Sequence, residues 1–265
     1  MQSYLEMYKE PLFWYFPIAT AMISMIAFSM FSIPLTWIAY KKPRWAEKYR
    51  IQDKVGQGPK MISPSIRYYL SNGMIFVALL VLFWPLLRMT AVHMGTLPSW
   101  YVILLQILFF IYFEDFLFYI LHRILHTKFL YKHIHSIHHR VTTPWAIAGN
   151  YMHPVEFVLI AFVVLLGPML IGAHVVTIWL WIVFRQWLAA NEHSGYEFPW
   201  NPNRIFPFYD GASFHDYHHS KFKGNYGAFS GLWDRMFRTL SPGFHEHIVD
   251  KKRRSAKKVH VRSEG

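Results

Sequence analysis

The run from residue 13 to residue 40 is almost wholly apolar or small, and it sets what this chain can become. A helix that crosses a bilayer needs roughly twenty such residues, so the run reads as a span. Trp14, Tyr15, Trp37 and Tyr40 bracket it as interfacial anchors would. It is longer than the apolar core of a signal peptide and no small-residue cleavage site follows, so it is expected to remain as an anchor. Further spans are expected at 73–92, interrupted by Pro85 and Arg88, and at 100–121. A fourth apolar region, 155–184, carries Gly167-Pro168 near its middle and Gly172 just after. Gly-Pro is a strong breaker, so this region reads as a re-entrant hairpin broken around 167–174, with arms of about ten to fifteen residues. The expected fold is all-α: one membrane domain over 1–265, with about four transmembrane or re-entrant segments and a cytoplasmic histidine-rich metal region at 122–153 and 185–240.

Charge orients this plan. Seven of the residues between 41 and 60 are Lys or Arg, which places that loop in the cytoplasm. The formal charge of +12 on a multispanning chain points to cytoplasmic loops and anionic headgroups rather than nucleic acid. The basic tail, K-K-R-R-S-A-K-K, is expected to be solvated or to rest on headgroups. There is no cysteine. Disulfides, haem-thiolate, iron–sulfur clusters and mixed Cys/His zinc sites are therefore excluded.

Sixteen histidines remain as the chemistry-bearing feature. His122 and His126 form one box, His135, His138 and His139 a second, and His215, His218 and His219 a third. Residues three and four apart share a helix face, so each box is expected to aim its imidazoles at one point. His153, in N-Y-M-H-P-V-E, and His193, in N-E-H-S-G-Y, bring the candidate ligands to ten. His93 and His174 read as core, and His133, His245, His247 and His260 as loop or surface. One ion takes four to six ligands, so eight to ten convergent imidazoles imply two metals. Iron can bind and cleave dioxygen, whereas zinc has no redox chemistry and serves only as a substitute. Glu114 and Asp115 lie inside the third span, where acids need a partner or a water-lined site. They are expected to orient ligand histidines, or else to pair with Arg123 or Arg88. A hairpin at 155–184 keeps all three boxes on one membrane face. No glycine-rich dinucleotide fingerprint is present, so electrons are expected from an external redox partner.

The stretches E-D-F-L-F-Y-I-L-H-R-I-L-H, L-Y-K-H-I-H-S-I-H-H, Y-M-H-P-V-E, H-S-G-Y-E-F-P-W-N-P, P-F-Y-D-G, H-D-Y-H-H, G-N-Y and W-D-R-M-F run from Glu114 to Phe237. In these the chain resembles the sterol desaturase/fatty acid hydroxylase superfamily of membrane di-iron enzymes, and within it the C-4 methylsterol oxidase branch. The resemblance implies a monooxygenase of the endoplasmic reticulum that oxidises a sterol C-4 methyl group with dioxygen, and NAD(P)H electrons delivered through a cytochrome b5-type donor. It maps metal ligation onto the three boxes, with His153 and His193 near the irons. Asn191 stands where related sequences often carry an acid. The chain ends R-S-E-G rather than in the dilysine signal of eukaryotic relatives, which makes a bacterial inner membrane the alternative location. Alternative reactions on the same site are sterol C-5 desaturation, sterol side-chain hydroxylation and fatty acyl hydroxylation. A non-enzymatic metal-binding protein is a remote alternative, because transporters place their ligands near the bilayer midplane and these boxes lie beyond the spans.

Overall fold

The structure, a computed structural model, describes residues 5–52, 58–201, 208–228 and 230–249. The basic tail and His260 lie outside the described residues. Regular structure among those described is helical, apart from three isolated bridges. That follows from the apolar runs, since backbone groups in lipid must be satisfied within the segment.

Among the described residues, three helices are long and apolar enough to cross a membrane: α1 (Pro11–Lys41), α2 (Gly58–Leu82) and α3 (Trp100–Leu125). In α1, Pro17 has no N–H to donate, and the chain takes a π-helical turn over Trp14–Ile18 before continuing. The helix stops where Lys42 turns left-handed, φ 50°, ahead of Pro43.

The second span begins well before the expected residue 73. Ser65, Tyr69, Asn72 and Gly73 are buried against protein, and Asn72 Nδ2 donates to the Met152 carbonyl at 3.0 Å. Polar side chains that pair inside the bundle lower hydropathy without breaking a span. Pro85 ends this span rather than interrupting it, opening a short turn over Trp84–Leu87. Trp84 is fully buried and donates to the Met7 carbonyl, and Arg88 pairs with Glu10 at 2.5 Å. The third helix runs one turn beyond the expected residue 121 and carries His122.

The apolar region after the second box is a helical hairpin, α4 (Pro154–Leu170) and α5 (Val175–Glu192). Its arms have 17 and 18 residues, longer than expected. At about 1.5 Å per residue, each extends roughly 25 Å. Gly167-Pro168 does not break it. Pro168 cannot donate to the Val164 carbonyl one turn back, and Trp181 Nε1 from the other arm donates there instead, at 3.0 Å. The reversal comes later, at Gly172, which has φ +61°. The tip is fastened to the link between α2 and α3. Val175 N donates to the His93 carbonyl at 3.0 Å, and His174 Nε2 to the Gly95 carbonyl at 3.1 Å. His93 and His174 thus serve the hairpin tip.

α5 lies along α1 in the same direction, with Trp179 Nε1 donating to the Tyr15 carbonyl and Gln186 Nε2 to Ser24 Oγ. Phe16, Trp84, Phe110, Ile178 and Trp181 form the core between these helices. The hairpin therefore starts and ends at the end of the bundle where α3 finishes, and its tip reaches the opposite end. There Gly172 approaches Ala91 so closely that a Cβ would lie 2.6 Å from the Ala91 Cβ and 2.8 Å from its carbonyl oxygen. Gly172→Ala combines left-handed strain with overpacking, and a loss of about 2–4 kcal/mol is expected. A melting curve in detergent should show the apparent Tm of this variant several degrees below wild type.

Candidate metal centre

Among the described residues, nine histidines converge at the end of the bundle where α3 and α5 finish. They form two groups, each with its ligand atoms within 4.8 Å of one another: His122, His126, His135, His139 and His218 in one, His138, His193, His215 and His219 in the other. The boxes do not each aim at one point, as their spacing suggests. Neighbouring residues on a helical turn point about 100° apart, so His138 and His139 cannot meet at one place, nor can His218 and His219. The structure sends His139 and His218 to the five-membered group and His138 and His219 to the four-membered one. Each of the second and third boxes therefore feeds both groups.

Local structure sets these directions. His122 sits in the last turn of α3 and His126 just past it. The second box is no single helix: His135 closes a π-helical turn, Tyr131–His135, and His138 and His139 open a 3-10 turn, His138–Arg140. The third box lies on α6 (Ala212–Lys221). His193 caps the C-terminus of α5, so the hairpin delivers it.

Six of the nine rings have their outer nitrogen engaged. Nδ1 donates to the carbonyls of Tyr226 from His122 (2.8 Å), Tyr151 from His138 (3.3 Å), Ala189 from His193 (3.0 Å), Gly224 from His218 (2.6 Å) and Val141 from His219 (2.9 Å). His135 Nδ1 donates to the Glu156 carboxylate at 2.7 Å. A carbonyl or carboxylate oxygen only accepts, so each of these rings carries its proton on Nδ1 and turns a bare Nε2 lone pair inward. Two such bare atoms meet at short range in each group: His122 to His135 at 3.0 Å in one and His138 to His193 at 3.4 Å in the other. Lone pairs at such distances repel unless a cation lies between them. The Nε2 atoms of His139 and His215 join them, 3.1 Å from His218 and 3.0 Å from both His193 and His219 respectively. The donor set is all imidazole nitrogen, which suits iron and zinc alike, and the arrangement fits metal ions at both groups.

The sheltered setting reinforces neutrality. Burial first, and then neighbouring imidazoles, push His126 down to about 3; burial alone does so for His135, and burial together with His138 for His193. Burial also takes His138 down to about 4. His139, His215, His218 and His219 are lowered by burial and then by the imidazoles around them.

The remaining candidates take other positions. His153 caps the N-terminus of α4, its Nδ1 accepting from Val155 N, and belongs to neither group. Glu114 is buried in an ion pair with Arg185 at 3.0 Å, not with Arg123 or Arg88. Asp115 accepts from Ala228 N and Ser230 Oγ, which fastens the loop whose Tyr226 carbonyl receives the His122 proton. Asn191 is buried two residues before His193, with no hydrogen-bond partner at either amide atom. The acid that touches a converging ring is Glu156, which sequence reasoning passed over. Its signal was there: a lone carboxylate in the first turn of the otherwise apolar α4, next to His153.

A cavity of about 1230 Å³, open mouth included, runs from the two groups into the bundle. His122 and His135 of one group and His138, His193 and His215 of the other form its end. Its walls are chiefly apolar, with Phe28, Phe76, Phe118, Phe157 and Ile160 among them.

Comparison with known proteins agrees with this geometry. Residues 107–239 match the model of the fatty acid hydroxylase family. The chain is 40% identical over 196 residues to the very-long-chain aldehyde decarbonylase GL1-11 of Oryza sativa subsp. indica, covering 72% of this chain and 74% of the relative. It is 38% identical over 213 residues to methylsterol monooxygenase 2-2 of Arabidopsis thaliana, covering 77% and 79%. It is 41% identical over 152 residues to methylsterol monooxygenase 1 of Danio rerio, covering 57% and 52%. No solved structure matches.

Two outcomes follow from the ring geometry. Glu156→Leu removes the acceptor that fixes His135, and metal affinity at the five-histidine group should fall about 10–100-fold by chelator competition. Acid should destabilise the metal-free protein. A histidine lowered by folding contributes stability that is fully present above its unfolded value near 6.5 and is lost as pH falls toward the folded value. With four rings at about 3 to 4, the apparent Tm of chelated protein should drop steadily from pH 7 to pH 4; a flat or rising profile contradicts buried neutral rings.

Proposed function

The chain belongs to the fatty acid hydroxylase family of the sterol desaturase superfamily, and from that membership we propose that it is a membrane di-iron monooxygenase oxidising the C-4 methyl group of sterol precursors. It is an oxidoreductase, and its histidine groups fit a pair of iron ions. The observation that carries the reading is the apolar cavity ending on both groups at once. A lipid can bring one carbon to the ions there while its hydrocarbon fills the bundle.

In this reading His122, His126, His135, His139 and His218 hold one ion, and His138, His193, His215 and His219 the other. Bound iron supplies the activation of dioxygen that attack on an unactivated C–H bond requires. The chain itself orients and shields. Tyr226, Gly224, Val141, Tyr151 and Ala189 carbonyls and Glu156 keep the Nδ1 protons pointed away from the ions. Phe118 and Phe157 keep water from the reacting carbon. The sequence carries no glycine-rich dinucleotide fingerprint, so electrons come from outside, through a cytochrome b5-type donor fed by NAD(P)H.

Charge supports a cytoplasmic face for the metal end. Lys41, Lys42, Arg44 and Lys48 follow α1 there, and Lys128 and Lys132 follow α3. By the positive-inside rule these lie in the cytoplasm. The membrane is that of the endoplasmic reticulum in the main reading and a bacterial inner membrane in the alternative.

A second reading has a specific observation in its favour. The rice relative at 40% identity is named for very-long-chain aldehydes, and its match extends over 72% of this chain. Iron-loaded protein given reductant, dioxygen and either 4,4-dimethylsterol or a long-chain aldehyde separates the two. The expected outcome is a C-4 oxidised sterol, its formation abolished by His138→Ala while the variant remains in the membrane. Conversion of the aldehyde alone favours the second reading.

A further inference from the structure

One face of α5 lines the cavity, through Ile182, Arg185, Gln186, Ala189, Glu192 and His193. The intervals are three, one, three, three and one, the pattern of a single helical stripe. The stripe changes character along its length. Ile182 is apolar, Gln186 is occupied with Ser24 at 2.6 Å, and the stripe closes with Glu192 and then His193 of the four-histidine group, both lining the cavity.

Glu192 is unusual among these. It is 3% exposed, and its Oε1 has no hydrogen-bond partner. The nearest cation, Arg185, is engaged with Glu114 at 3.0 Å, and both carboxyl groups bear on that one guanidinium. A buried carboxyl oxygen without a partner is costly, and it is tolerated where a ligand completes it. The sequence places it next to His193, at the reacting end of a cavity whose other walls are largely apolar.

We infer that Glu192 hydrogen-bonds a hydroxyl group of the lipid substrate, on the carbon next to the one that carries the reacting methyl group. This rests on the sterol reading, in which the hydroxyl at C-3 neighbours the C-4 methyl group. The chemistry of the partner follows from the site. A hydroxyl both donates and accepts, so it satisfies Glu192 whether or not the carboxyl holds a proton. A ketone or aldehyde oxygen only accepts and cannot serve an ionised Glu192. A substrate carboxylate would face the two acids of the cavity wall, Glu192 and Glu156, and be repelled. An unsubstituted hydrocarbon would leave Oε1 unpaired. The charge of Arg185 is matched by Glu114, so a neutral group is the better complement. The remaining substrate surface meets Ile182, Ala189 and the aromatic walls and is expected to be hydrocarbon.

The test is binding, read without turnover. Dissociation constants are measured on purified full-length protein for 4,4-dimethylsterol and for its 3-deoxy analogue, on wild type, Glu192→Gln and Glu192→Leu. Wild type should bind the alcohol roughly 10–100-fold more tightly than the deoxy compound, as sites built for a hydroxyl discriminate against its absence. Glu192→Gln, which keeps a donor and an acceptor, should retain most of that preference, and Glu192→Leu should lose it. Equal binding of alcohol and deoxy compound by wild type overturns the inference while leaving the sterol reading in place, and this comparison does not depend on any variant folding. Full preference retained by Glu192→Leu also overturns it. Failure of both sterols to bind wild type overturns the sterol reading, and the inference with it.

Discussion

The hydrogen bond from His218 Nδ1 to the Gly224 carbonyl, at 2.6 Å, stands for the constraint on which the metal end depends. An imidazole is a ligand only through a bare nitrogen, and a neutral ring has one. Fixing the proton on the outer nitrogen fixes the lone pair on the inner one. Six rings here are fixed in that way by groups from four separate parts of the chain. The loop carrying Gly224 and Tyr226 is itself tied down, since Asp234 accepts from the N–H groups of Tyr226 and Gly227. Asp115 of α3 and Thr239 extend the same support, Thr239 donating to Asp234. The metal end is therefore a set of oriented dipoles held by backbone, and the ligands are its visible part.

The hairpin makes that convergence possible across a membrane protein. His122 arrives on α3, the second box follows immediately, and the chain then leaves through α4 and returns through α5 with His193 and the third box. Both arms cover a similar length, so departure and return occur at one level. The tip's attachment to His93 and Gly95 at the far end fixes how far the hairpin reaches. The same arms wall the cavity, so the element that completes the donor set also shapes the space in front of it.

Much of this is legible in the sequence, because spans and box spacings are local properties. The three long helices and the need for a reversal between the second and third boxes come from apolar length alone. The limits are equally physical. Gly167-Pro168 reads as a break, yet the carbonyl it orphans is satisfied by Trp181, a residue thirteen positions on in another helix. Asn72 and Tyr69 dilute the hydropathy of the second span because their partners, the Met152 and Met25 carbonyls, are elsewhere in the bundle. The partner of Glu114 is Arg185, at a separation of 71 residues that no local rule connects. The division of the second and third boxes between two groups was within reach, since adjacent histidines on a helical turn cannot point the same way. Glu156 was hidden by its own context, a single acid beside a more conspicuous histidine.

The central claim is that two separate groups of imidazoles each hold an ion. Iron counting by mass spectrometry on anaerobically reconstituted, chelator-washed protein tests it most directly. The expected result is two irons per chain, falling to one in His215→Ala, which opens the four-histidine group alone. A single iron per wild-type chain, unaffected by His215→Ala, would contradict the account.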